Sequence, residues 1–152
     1  MKLGLIGATG CVGKAVLNEA LNSGHQVTAI ARDPSKIEVT NDNLSPVAAD
    51  VYDADKLAEV LTGNDAVVNT FNAGWTNPDL YNDFIKGSEA IQQATTKDGV
   101  KRLLYVSGAG SLYAATGLPL VDTQQFLAWW TDGCTAYSHD LKTIRKEEKL
   151  AV

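Results

Sequence analysis

Gly7, Gly10 and Gly13 stand three residues apart in the run Gly7-Ala8-Thr9-Gly10-Cys11-Val12-Gly13. A phosphate group binds well to backbone amides at the start of a helix, where unpaired N–H groups and the helix dipole both favour negative charge. Side chains would block that approach. Gly7 allows a sharp turn, Gly10 lets the backbone come close to the anion, and Gly13 lets the helix pack tightly on the preceding strand. The spacing is GxxGxxG, one residue wider in its first gap than the GxGxxG of many dehydrogenases. The chemistry expected here is the holding of a dinucleotide pyrophosphate, with the backbone at Gly10 beside it.

Arg32 ends the second apolar run, at the position that lies beside the adenosine ribose when such a turn is used. An acid there accepts hydrogen bonds from a 2′-hydroxyl, whereas arginine offers a planar fork suited to a 2′-phosphate. NADP(H) is therefore preferred, and Asp33 leaves NAD(H) open.

Carbonyl reduction commonly uses a tyrosine whose pKa is lowered by a lysine four residues later. The Tyr-x-x-x-Lys spacing occurs only at Tyr52 and Lys56, which precede the third helix and lie on the adenine side. Tyr113 and Tyr137 have no such lysine, so ordinary alcohol or ketone chemistry is not expected. A flavin or quinone can take hydride without a strong protein acid, and Ser107 is a candidate catalytic residue, as a hydrogen-bond donor to the acceptor. Trp75, Trp129 and Trp130 are candidates for a stacking wall, or for plain packing onto the sheet. His25 and His139 are isolated, so no metal site is expected. Cys11 and Cys134 make no disulfide framework, which suits a reducing, cytoplasmic setting.

These residues need a scaffold of alternating strands and helices. Lys2–Ile6 reads as a strand, followed by a helix with Val12, Val16 and Ala20 on one face and Gly24 beyond its end. Gln26–Ala31 is the second strand and Pro46–Ala49 a weak third. Asp53 caps a helix through Ala54, Leu57, Ala58 and Leu61, closed by Gly63. Asp65–Phe71 is the fourth strand. Asn77-Pro78-Asp79 opens a long helix to about Asp98, with Leu80, Phe84, Ile91 and Ala94 inward. Val100–Ser107 is the fifth strand, suited to a sheet buried on both faces. Gly108–Val121 reads as loop, Asp122 with Gln125 as a capping pair for a short helix over Phe126–Trp130, and Tyr137–Leu150 as a final charged helix. The alternation predicts an α/β, doubly wound parallel sheet in three layers, a Rossmann fold with strand order 3-2-1-4-5.

The chain has 152 residues, 45% of them hydrophobic and 20% charged, which suits one folded domain. Its formal net charge of −5 disfavours nucleic acid and anionic membrane as partners and favours a small molecule. No run approaches the length of a membrane span.

GATGCVG, AIARDPSKI, AADVYD, FNAGWTNPDLYNDF and GVKRLLYVSGAGSL together resemble the atypical short-chain dehydrogenase/reductase relatives. Within them the chain is similar to the NADH-flavin-reductase-like, NAD(P)H-binding subgroup, to biliverdin reductase B and to NmrA-type regulators. The resemblance implies that Thr9, Cys11 and Val12 line the pyrophosphate and that Asp50 and Val51 flank the adenine. It further implies that Phe71, Asn72 and Ala73 lie near the cofactor and that Ser107 and Gly108 lie near the nicotinamide. It implies an NAD(P)H-dependent reductase with FMN or another flavin as substrate; the alternative is a nucleotide-sensing protein without turnover. Members of that family continue past the Leu150 region, so residues 1–152 are expected to be a single domain, C-terminally short. Its exposed last strand would favour a homo-oligomer.

Overall fold

The computed structural model describes residues 1–97, 99–123 and 131–146. Five strands form one parallel sheet: β1 (Lys2–Ile6), β2 (Gln26–Ala31), β3 (Leu44–Ala48), β4 (Ala66–Asn69) and β5 (Leu103–Tyr105), in the order β3-β2-β1-β4-β5. β1 is central, pairing Ile6 with Ile30 on one side and with Asn69 on the other. Switching from β3 at one edge to β4 beyond β1 reverses the winding direction. A crevice therefore opens at the carboxyl ends of β1 and β4, where ligands of such sheets bind.

Alternate residues of each strand feed opposite faces. Leu5, Val27, Ala29 and Val68 pack against Leu17, Ala20 and Leu21 of α1 (Cys11–Asn22). Ile6, Ile30, Val67 and Leu103 pack on the other face against α2 (Ala54–Leu61), α3 (Leu80–Lys97) and Ile144 of α4 (Thr131–Ile144). Burial on both faces is why β1, β2 and β4 read as nearly continuous apolar runs. The helix ends follow local chemistry. Asp53 accepts from the Lys56 amide to open α2, and Asn77 accepts from the Asp79 amide ahead of α3.

Several sequence expectations need correction. The apolar spacing of Val12, Val16 and Ala20 does not mark the buried face of α1: Val12 is 47% exposed, and the buried residues of α1 are Gly13, Leu17, Ala20 and Leu21. The phase is set by Gly13, where an added Cβ would lie 2.1 Å from the Gly7 carbonyl oxygen. Only a bare α-carbon fits against the turn, so Val12 is rotated to the rim. β3 spans Leu44–Ala48 and tolerates Pro46 because it is an edge strand. β5 is shorter than Val100–Ser107 and is not buried on both faces, since Leu104 is 54% exposed at the other sheet edge. The stretch read as loop holds a small hairpin, β6 (Tyr113–Ala115) with β7 (Leu118–Pro119), turned at Gly117 with φ +75°. α4 begins at Thr131, six residues before the expected Tyr137. Asp122 closes a 3₁₀ turn, Leu120–Asp122, while Gln125 and Phe126–Trp130 lie outside the described residues.

Candidate functional site

The turn between β1 and α1 is held from below. Gly7 has φ +80°, and its amide donates to the Ile30 carbonyl at 3.1 Å. The Thr70 hydroxyl donates to the Ile6 carbonyl at 2.7 Å, pinning the end of β4 to the turn. Gly10 caps α1 without any side-chain hydrogen bond, so no side chain competes for the first-turn amides. An anion can approach them along bare backbone. That arrangement fits a pyrophosphate on physical grounds, and glycine is required at Gly7 and Gly13 by sterics already described.

From the turn a cleft of about 240 Å³ runs toward the ends of β2 and β3, lined by Gly7, Thr9, Gly10, Arg32, Asp50 and Val51, among others. Arg32 is exposed on its wall. Asp33 is not among the lining residues. Its carboxylate is turned onto its own loop, accepting from the Ser35 hydroxyl at 2.6 Å and the Ser35 amide at 3.2 Å, with Lys36 at 3.7 Å. The Ser35 hydroxyl chiefly, helped by Lys36, holds its pKa below the usual carboxylate range. Asp50 accepts from the Tyr52 amide at 3.1 Å and so caps the turn after β3 while lining the cleft.

Tyr52 also lines this cleft, beside Arg32, Asp50 and Val51, on the side where the sequence reading put it. Its hydroxyl donates to the Asp83 carbonyl at 3.1 Å, Lys86 Nζ lies 5.5 Å from its ring centre, and its ring meets Phe71 edge-on at 6.2 Å. Burial, then the charges of Asp83 and Asp50, push its phenol upward. Lys56 points elsewhere, bonded to Glu59 at 2.9 Å. The Tyr52/Lys56 spacing is therefore no catalytic pair.

On the other side of the turn lies a cavity of about 590 Å³, lined by Cys11, Val12, Trp75, Ser107, Gly108 and Tyr137, among others. Gly10, Thr70, Phe71 and Asn72 line both spaces, so cleft and cavity meet over the glycine turn. Ala73 lies on the cleft side, and Gly13 lines neither, acting as the packing point beneath. The Ser107 hydroxyl is buried and has no hydrogen-bond partner among the described protein groups. Trp75 lies against α4, where an added Cβ at Gly133 would come within 2.5 Å of its ring; Trp129 and Trp130 lie outside the described residues.

Tyr137 reaches the cavity from α4. Its hydroxyl accepts from Asn72 Nδ2 at 2.8 Å and donates to the Phe71 carbonyl at 3.3 Å. Burial pushes its pKa up, an effect the Asn72 bond only partly opposes. One turn further, Asp140 is 2% exposed and accepts from the Ser88 hydroxyl at 2.6 Å and from the Tyr105 hydroxyl, tying α4 to α3 and β5. Burial first, then the Asp140 charge, pushes the Tyr105 phenol far upward. The signal for Tyr137 was available only to a reading that began α4 early enough to place it beside the strand ends. Thr70 could have been found as a hydroxyl at the end of the strand facing the glycine turn. Among the described residues no cluster of His, Cys, Asp or Glu could hold a metal, and no helix is long and apolar enough to cross a membrane.

A family described as NAD(P)H-binding matches residues 7–149. The Bacillus subtilis protein YwnB, itself uncharacterised, is 32% identical over 99% of this chain and 68% of its own length. A solved structure from Bacteroides thetaiotaomicron, provisionally named an epimerase, is 42% identical with a TM-score of 0.89, covering 98% of this chain and 67% of that one. Another from Streptococcus pneumoniae, provisionally named an NADH-flavin reductase, is 34% identical with a TM-score of 0.82 over 99% and 68% of the two chains. The chain thus spans about two thirds of the length of these relatives. With the parallel 3-2-1-4-5 sheet and the bare glycine turn, the match over residues 7–149 shows that this chain belongs to the NAD(P)H-binding family of the atypical short-chain dehydrogenase/reductases.

Proposed function

We propose that the protein is a reductase that binds NADPH across the glycine turn and passes hydride to a flat, conjugated acceptor of the flavin or quinone type. The observation that carries this reading is the junction at Gly10, Thr70, Phe71 and Asn72, where an anion-accepting cleft opens into a largely apolar cavity. A dinucleotide bridging the two would place its phosphates on the α1 amides and its reactive ring beside Ser107 and Gly108. NADPH is preferred over NADH because Arg32 lines the cleft whereas the Asp33 carboxylate is occupied by Ser35.

When bound, the reduced nicotinamide supplies the hydride. The chain's own residues position and shield. Ser107 has a free hydroxyl to donate to the acceptor, and Trp75, Val12 and Val106 exclude water from one side of it. Tyr137 serves as a wall and a strut, since its proton is directed at a backbone carbonyl. An acceptor that takes its proton from water suits such a site.

The test is to titrate NADPH and NADH by fluorescence, then add FMN, riboflavin or menadione and follow loss of reduced-nicotinamide absorbance. Oxidation above the blank is expected. Binding without oxidation would sink the reductase reading and leave a nucleotide-sensing protein.

A further inference from the structure

We infer that the cavity beyond the glycine turn selects an uncharged acceptor, a flavin without a phosphate or a simple quinone, over a phosphorylated flavin such as FMN. This rests on the reductase reading above. Among the described residues that line the cavity none is charged; the polar side chains there are neutral, Thr70, Ser107 and Tyr137 with hydroxyls, Asn72 with its amide, Cys11 and Cys134 with thiols and Trp75 with its indole N–H, and the rest is aliphatic, aromatic or glycine. Burial pushes the Cys134 thiol upward, which keeps it neutral.

A phosphate entering this cavity would lose water and find no arginine or lysine among the described lining residues to replace it. The anion-accepting feature at hand, the first turn of α1, belongs to the dinucleotide in this reading. The charge felt at the cavity wall has the wrong sign as well: the Asp140 carboxylate, buried behind Tyr137, helps to raise that residue's pKa. The net charge of −5 adds weak repulsion over the whole surface. A neutral isoalloxazine or naphthoquinone meets none of these costs, and its flat ring matches Trp75 and Tyr137, whose rings are 6.4 Å apart and inclined by 30°.

The reaction balances without another protein group. Hydride carries two electrons from nicotinamide C4 to flavin N5, and water delivers the proton to N1. The nicotinamide is left oxidised and the flavin as its dihydro form.

The experiment compares riboflavin, FMN and menadione at fixed NADPH, and in parallel measures quenching of riboflavin and FMN fluorescence by the protein in the presence of NADP⁺. Riboflavin and menadione should exceed FMN in kcat/KM by about tenfold or more, mostly through KM. Leu120→Arg, which puts a cation on the cavity wall, should narrow the gap. FMN turned over as well as riboflavin would overturn the inference, as would a gap unchanged in L120R. If no acceptor is reduced, the reductase reading fails by itself. The quenching titration then decides the present point: tighter riboflavin than FMN upholds charge selection, and equal or absent binding overturns it.

Discussion

The side-chain amide of Asn72 donates to the Tyr137 hydroxyl at 2.8 Å, joining the loop after β4 to α4 across 65 residues of sequence. The same hydroxyl donates to the Phe71 carbonyl, so the phenol is saturated by protein groups on the cavity wall. Tyr137→Phe should lower kcat/KM by less than about tenfold, against the 10²–10⁴ that loss of a general acid costs. Stability should fall by ~1 kcal/mol because the half-buried amide of Asn72 loses its acceptor. Steady-state kinetics and thermal unfolding check both; a hundredfold loss of turnover would make Tyr137 an acid after all.

Gly13→Ala should be among the most damaging single changes at the turn. Its Cβ would lie 2.1 Å from the Gly7 carbonyl oxygen, so either the turn or α1 must move. A cost of about 3 kcal/mol and loss of NADPH binding are expected. Gly24→Ala is the control: unlike Gly13 it has a left-handed backbone, φ +74°, but an added Cβ there meets nothing within 4 Å. It should cost ~1–2 kcal/mol and leave cofactor binding intact. Melting curves and fluorescence titrations separate the two.

Arg32→Ala should weaken NADPH by roughly tenfold to a hundredfold, as for a lost hydrogen bond to a charged group, and leave NADH nearly unchanged. Asp33→Ala should disturb the Pro34–Lys36 turn, which its carboxylate caps, more than it disturbs either cofactor. Dissociation constants for both cofactors in both variants would show the reverse pattern if Asp33 were the ribose partner.

Alkaline pH should destabilise the protein through Tyr105 and Tyr137. Both phenols are raised above their ordinary value of about 10, Tyr105 the further, by burial first of all. Above pH 10 the unfolded chain releases these protons while the folded chain keeps them, so unfolding stability falls as pH rises. Each group contributes a slope of up to ~1.4 kcal/mol per pH unit in that window. Tyr105→Phe should flatten the fall between pH 10 and 11, at the price of lower stability near neutrality because Asp140 loses a donor. Denaturant midpoints across pH 8–11 measure it.

Much of the scaffold was legible because it is local. Lys2–Ile6 and Gln26–Ala31 are strands with the bounds their apolar runs suggest, and Leu80, Phe84, Ile91 and Ala94 are the inward positions of α3. The misreadings lie where phase or neighbours decide. Val12 shares a helical spacing with Val16 and Ala20, but the rotation of α1 is dictated by Gly13 against Gly7, a contact between backbones, and it leaves Val12 exposed. Leu104 sits in an apolar run yet stays exposed because it points to the α1 side of the sheet, where the packed cluster reaches only as far as Val68 of β4.

The sequence by itself determined that a strand, a bare glycine turn and a helix follow one another, and that an arginine ends the second strand; both follow from local backbone freedom and side-chain charge. Tertiary structure put Arg32 on the wall of the cleft, while the Asp33 carboxylate is held locally by Ser35, two residues on. It also brought Tyr137 and Ser107 to one neutral cavity beside the turn, through packing of α4 onto α3 and β5 that depends on the buried Asp140 contacts. Such contacts join residues far apart in the chain, and no local periodicity records them.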